Sequence, residues 1–162
     1  MLKNKGQIIN VISWTALIFW LVLIFYLSAQ PVHQSNGLSK KVTEVIIEKV
    51  EIIAPYSNFN ISRMNHLVRK NAHFFAYLIL GILVMNVLRR SGMKINKGVI
   101  LSLSFCILYA MSDEFHQLFV PGRGAQVKDV LLDSAGAVVG IGIYLVVKFI
   151  VNKAQIRNKS HA

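Results

Sequence analysis

Four of the chain's seven acidic residues, Asp113, Glu114, Asp129 and Asp133, fall within 21 consecutive positions. The run Tyr109-Ala110-Met111-Ser112-Asp113-Glu114-Phe115-His116-Gln117 sets two carboxylates, a histidine and an amide into an otherwise apolar stretch. Arg69, Lys70 and His73 open another such stretch, and Arg123 follows in a Pro-Gly turn. Cations of this kind clamp phosphate or carboxylate, and a neighbouring histidine or carboxylate can transfer a proton. His73, His116, Asp113 and Glu114 are therefore the candidate catalytic groups, and Arg69, Lys70 and Arg123 the anion-binding ones. Gln117, Asp129 and Asp133 complete the polar network. The acids also allow a second chemistry, in which Asp113, Glu114, Asp129 or Asp133, with His116, hold a divalent cation. Neither spacing is a metal signature. In a third reading Arg69 or Arg123 pairs with Asp133 or Asp113 and only fastens helices together. The residues alone leave open which of these holds and whether the chain is an enzyme.

Helical periodicity sorts these groups onto faces. Ser112 and His116 share one, as do Asp113 and Gln117, while Glu114 points about 100° from Asp113. Asp129 and Asp133 stack four residues apart, and so do Arg69 and His73, with Tyr77 one turn further on. The elements that carry them must bring three helix ends to one level.

Composition says which elements these are. Hydrophobic residues make up 54% of the chain, charged residues 15%, and the mean hydropathy is +0.52. A soluble domain carries about 25% charged residues. Four nearly uncharged stretches, Ile8–Ser28, Asn71–Leu88, Gly98–Phe119 and Val130–Ile150, lie within or close to the roughly 17–25 residues that cross a hydrocarbon core. The expected fold is all-α, a single domain over residues 1–162 built as a four-helix transmembrane bundle. A carboxylate such as Asp113 is costly against lipid, so it should face the bundle interior or a wet cleft. The first stretch exceeds a signal-peptide core and lacks a strong cleavage site, so it is expected to stay as an anchor. The lone Cys106 reads as a small buried hydrophobe. The formal charge of +11 is spread over helix ends rather than gathered in one patch, which points to membrane lipids as partners and away from nucleic acid.

The connections add detail. Residues 38–53 place Leu38, Val42, Val45, Ile46, Val50 and Ile53 at three- and four-residue intervals, predicting an additional amphipathic helix in the long first loop. Short turns at Ser91–Asn96 and around Val120-Pro121-Gly122-Arg123-Gly124 predict that the second and third spans, and the third and fourth, are antiparallel neighbours. Gly136 and Gly140 form a small-residue face suited to tight packing inside the bundle or to a homodimer contact. Arg89, Arg90, Lys94 and Lys97 crowd the second loop, whereas the third has only Arg123 and Lys128. Basic density marks the cytoplasmic side, so the expected topology is multi-pass with both termini inside, and the polar cluster lies at the outer surface.

The motifs together resemble the VanZ-like family of small bacterial membrane proteins. The resemblance runs from Ser28-Ala29-Gln30-Pro31 through Arg69-Lys70-Asn71-Ala72-His73-Phe74-Phe75-Ala76-Tyr77 and Gly81. It continues through Ser112-Asp113-Glu114-Phe115-His116-Gln117 to Pro121-Gly122-Arg123, and ends in Asp129, Asp133, Gly136 and Gly140. It implies a cell-envelope role in the bacterial cytoplasmic membrane, and the family's namesake is linked to resistance to teicoplanin-type glycopeptides. By the family's pattern Lys70, His73, Asp113, Glu114, His116, Gln117, Arg123, Asp129 and Asp133 are the residues to suspect. The functional expectation is an outward-facing protein that binds, and in one version processes, an anionic lipid or lipid-linked cell-wall intermediate. Its alternatives are a non-enzymatic structural or partner-binding protein and, third, a small-molecule transporter formed as an oligomer.

Overall fold

A computed structural model describes residues 2–31, 37 and 61–159. Four helices run through them: α1 Leu2–Ser28, α2 Ile61–Arg90, α3 Ile95–Gln117 and α4 Val127–Lys159. Each contains a segment long and apolar enough to cross a membrane, over Lys5–Ser28, Leu67–Arg90, Ile95–Gln117 and Val127–Asn158. The all-α, four-span architecture expected from hydropathy is therefore present. The amphipathic segment 38–53 lies outside the described residues.

Helix ends follow local chemistry rather than the hydropathy limits. Hydropathy stops at the first charges, but a helix continues while its polar side chains reach water, so α2 starts ten residues before the expected Asn71 and α4 runs nine past the expected Ile150. By contrast, α3 stops at Gln117, two residues short of Phe119. There the amides of Phe119 and Val120 turn onto the carbonyls of His116 and Gln117, and Gly122 takes a φ of 79°. A left-handed residue at that point suits glycine because it carries no Cβ. Gly92, at φ 85°, makes the turn between α2 and α3, helped by the Arg89 guanidinium, which donates to the Met93 carbonyl.

The alternating chain direction puts the C-termini of α1 and α3 and the N-termini of α2 and α4 at one end of the bundle. The expected neighbours α2 and α3, and α3 and α4, do pack together, but the most extensive interface joins α2 to α4. Its cause is visible at three glycines. A Cβ on Gly81 would lie 2.6 Å from the Ala137 carbonyl oxygen, and one on Gly136 or Gly140 would fall on the carbonyl of Phe74 or Leu78. Backbones that approach this closely exclude any side chain. The Gly136/Gly140 face thus packs inside the bundle.

Leu17, Ile24, Tyr77, Leu80, Val84, Val87, Cys106, Ala110 and Ala137 form the core. Outside it, large apolar side chains such as Ile12, Phe19, Leu108 and Phe149 stand exposed, which suits hydrocarbon and not water. Long-range hydrogen bonds along its length hold α1 to its neighbours. The Trp20 indole donates to the Ala76 carbonyl at 2.9 Å, the Tyr109 hydroxyl to the Leu21 carbonyl at 2.7 Å, and the Asn86 amide to the Ser13 hydroxyl at 3.3 Å.

Candidate functional site

At the end of the bundle where α2 and α4 begin, a partly open cavity of about 110 Å³ is lined by polar groups from α2, α3, α4 and the turn before α4. Arg69, Lys70 and His73 come from α2, Glu114 and Gln117 from α3, Arg123 and Gln126 from the turn, and Asp129 from α4. This volume admits several water molecules, and with them a phosphate-sized group. Seven of the ten sequence-selected residues meet here.

Two of those cations differ in how they are engaged. Lys70 Nζ lies 2.7 Å from Asp129 Oδ1, and both side chains are 26% exposed, so this pair sits at the wet mouth. Arg123 is half-buried, and its Nε is buried without a hydrogen-bond partner among the described residues. Burial and the nearby Arg69 cation lower the Arg123 pKa from its ordinary value, while Asp113 and Glu114 push it back up. An arginine begins so far above neutrality that it remains a cation. Glu114 accepts from the Gln126 amide at 2.8 Å, which ties the end of α3 to the residue before α4. Asp129 stands in the first turn of α4, where a carboxylate is favoured by the helix dipole.

Deeper in, Asp113 and Asp133 are almost wholly buried, at 3% and 0% exposure. The Ser28 hydroxyl donates to Asp113 Oδ2 at 2.8 Å and itself accepts from the Gln117 amide at 2.7 Å. Asp113 is thereby oriented by α1 and by its own helix. Asp113 Oδ1, both oxygens of Asp133 and the hydroxyl of the fully buried Tyr77 have no hydrogen-bond partner among the described residues. His73 Nδ1 stands 3.8 Å from Asp133 Oδ2, beyond hydrogen-bond length. One ligand-capable atom from each of His73, Asp113 and Asp133 lies within 4.8 Å of the others.

His116 goes elsewhere. Its ring packs against Phe25 of α1 at a centroid distance of 4.6 Å, and it lines neither the cavity nor the His73–Asp113–Asp133 group. The periodicity that separates the Ser112/His116 face from the Asp113/Gln117 face accounts for this. Ser28 and Gln126 join the site without having been singled out by sequence. Ser28 stands in the sequence as the end of the first apolar stretch and the start of the Ser28-Ala29-Gln30-Pro31 motif, neither of which names its partners, and the Gln126 backbone amide leaves no mark on residue type.

The sequence profile of the VanZ/LLP1 family matches residues 13–148. The chain belongs to this family. The matched region takes in the second and third membrane-crossing segments whole, most of the first and fourth, and every polar residue of the cavity and of the His73–Asp113–Asp133 group. Neither a curated protein nor a solved structure shows significant similarity to it. Four apolar helices and membership in VanZ/LLP1 make it a multi-pass membrane protein.

Proposed function

We propose that this protein binds the phosphate of an anionic lipid or lipid-linked cell-wall intermediate at the outer leaflet of the bacterial cytoplasmic membrane. Both termini face the cytoplasm. The observation that carries the reading is Arg123, whose buried Nε lacks a partner among the described residues at the wall of a phosphate-sized cavity also lined by Arg69. An unpaired buried donor is unfavourable until it meets an acceptor, and guanidinium groups match phosphate oxygens with charge-assisted bonds. The cavity lies at the ends of membrane-crossing helices, the level that lipid headgroups occupy. The dense basic loop Arg89–Lys97 at the opposite ends supports the assigned orientation. If the bound lipid is also processed, His73 is the proton-transfer group, since it is the histidine on the cavity wall.

Lipid extraction and mass spectrometry of the purified chain test this. Wild type should retain a phosphate-bearing lipid enriched over its content in the source membrane, and Arg123→Ala should lose that enrichment. Identical profiles would refute the reading. A second reading, an internal fastening without a ligand, is favoured by the Lys70–Asp129 pair and the Ser28-centred bonds. It expects His73→Ala to keep full function at normal abundance. Because the family's namesake is linked to teicoplanin resistance, teicoplanin susceptibility supplies the cellular measure of function.

A further inference from the structure

We propose that His73, Asp113 and Asp133 bind one divalent first-row transition-metal ion at the floor of the cavity. The three side chains come from α2, α3 and α4, and their converging atoms lie within 4.8 Å of one another. Donors about 2.0–2.2 Å from a shared ion stand roughly 3–4 Å apart. The 3.8 Å between His73 Nδ1 and Asp133 Oδ2 already meets that spacing, and the remaining separations, none above 4.8 Å, would close by about 1 Å on binding.

Burial turns this convergence into an argument for a ligand. Among the described residues, Asp133 is fully buried with both oxygens unpartnered, and Asp113 keeps one buried oxygen without a partner. Two carboxylates held together away from water repel one another, and each lacks the hydrogen bonds that stabilise a buried anion. Tyr77 supplies an observation outside the acidic cluster: its fully buried hydroxyl is also unpartnered, beside Asp113 and Asp133. A dication between two carboxylates and a neutral imidazole makes the group electrically neutral, which suits its depth. The Ser28 and Gln117 bonds orient Asp113 as outer partners orient metal ligands. An imidazole with two carboxylates favours Mn2+, Fe2+ or Zn2+ over Ca2+. His73 also lines the cavity, so, acting as a ligand in place of a proton-transfer group, it leaves the coordination positions not taken by three protein donors open to water or to a phosphate oxygen. The ligand set differs from one built on Asp113, Glu114, Asp129 and Asp133 with His116.

The site stands independently of the lipid reading, and the test keeps the two apart. The full chain is purified from cells supplied with Mn2+ and Zn2+, its metal is counted by mass spectrometry, and the chelated protein is titrated with each ion. About one ion per chain is expected in wild type, with His116→Ala and Arg123→Ala unchanged. His73→Ala and Asp133→Asn should lower the affinity at least on the order of tenfold. Should Asp133→Asn fold poorly, His73→Ala carries the test: its melting temperature should not rise with added metal, whereas that of wild type should. Metal-free wild type that fails to bind either ion on titration would overturn the proposal and leave a shared proton between the carboxylates in its place. Loss of metal from His116→Ala equal to that from His73→Ala would overturn it too. Retained metal in Arg123→Ala together with lost lipid would support both readings.

Discussion

Gly140→Ala measures how much of this bundle rests on backbone contact between α2 and α4. The added Cβ would stand 2.8 Å from the Leu78 carbonyl carbon and 3.1 Å from its Cα. Carbon pairs prefer about 3.5–4.0 Å, so the helices must part by roughly 0.7 Å or more. Overpacking costs about 1–3 kcal/mol. The obstructing atoms are backbone and cannot rotate aside, which places this site at the upper end. Alanine returns up to about 1 kcal/mol of helix propensity, leaving a net loss of about 2 kcal/mol. Gly142→Ala is the internal comparison, because nothing lies within 4 Å of its Cβ and only the propensity gain applies. Equilibrium unfolding in mixed micelles, followed by the fluorescence of Trp14 and Trp20, should separate the two variants by about 3 kcal/mol. Equal midpoints would refute the claim that glycine permits this interface.

Ser28→Ala removes a hydroxyl that joins Asp113 to Gln117, leaving a buried carboxylate oxygen and a buried amide unpaired. It should destabilise by about 1–3 kcal/mol in the same titration, and an unchanged midpoint would show that Asp113 is oriented by something else. The Lys70–Asp129 pair, a quarter exposed on both sides, should give a coupling of only about 0.2–1 kcal/mol in a Lys70→Met, Asp129→Asn double-mutant cycle. A coupling above about 2 kcal/mol would mean that the pair is shielded from water and is a structural fastening rather than part of a wet mouth.

The spans were legible because a bilayer imposes length and apolarity that no soluble packing requires, and the Pro-Gly turn before Arg123 marked where α3 returns as α4. The face separation of Asp113 from His116 was legible for the same geometric reason that makes helices periodic. The dominance of α2 against α4 was not. Loop lengths speak only about chain neighbours, and Gly136-x-x-x-Gly140 says that something approaches closely without saying what. Its partner surface is the backbone of Phe74 and Leu78, whose residue types advertise no small-residue groove. Ser28 shows the same limit: a serine three residues before a proline marks a helix end and opens a motif, and its bond to a residue 85 positions away follows only from the packed fold.

The glycine contacts and the polar cluster are consequences of one register. α2 and α4 run parallel, and Phe74 and Leu78 meet Gly136 and Gly140 in matching four-residue steps. Carried toward the helix starts, that register places His73 beside Asp133 and Lys70 beside Asp129. A slip of one turn, about 5.4 Å, would separate both pairs. It would also set a bulky residue, Leu132 against Phe74 or Tyr144 against Leu78, where one of the two glycines now lies, while the other glycine position stays filled. The glycine contacts and the two polar pairs therefore favour the same register. Asp133, without a hydrogen bond among the described residues and close to a second carboxylate, opposes the stability that the glycine interface supplies. Local rules fail mainly at functional or strained sites, which supports the metal ion proposed at Asp133.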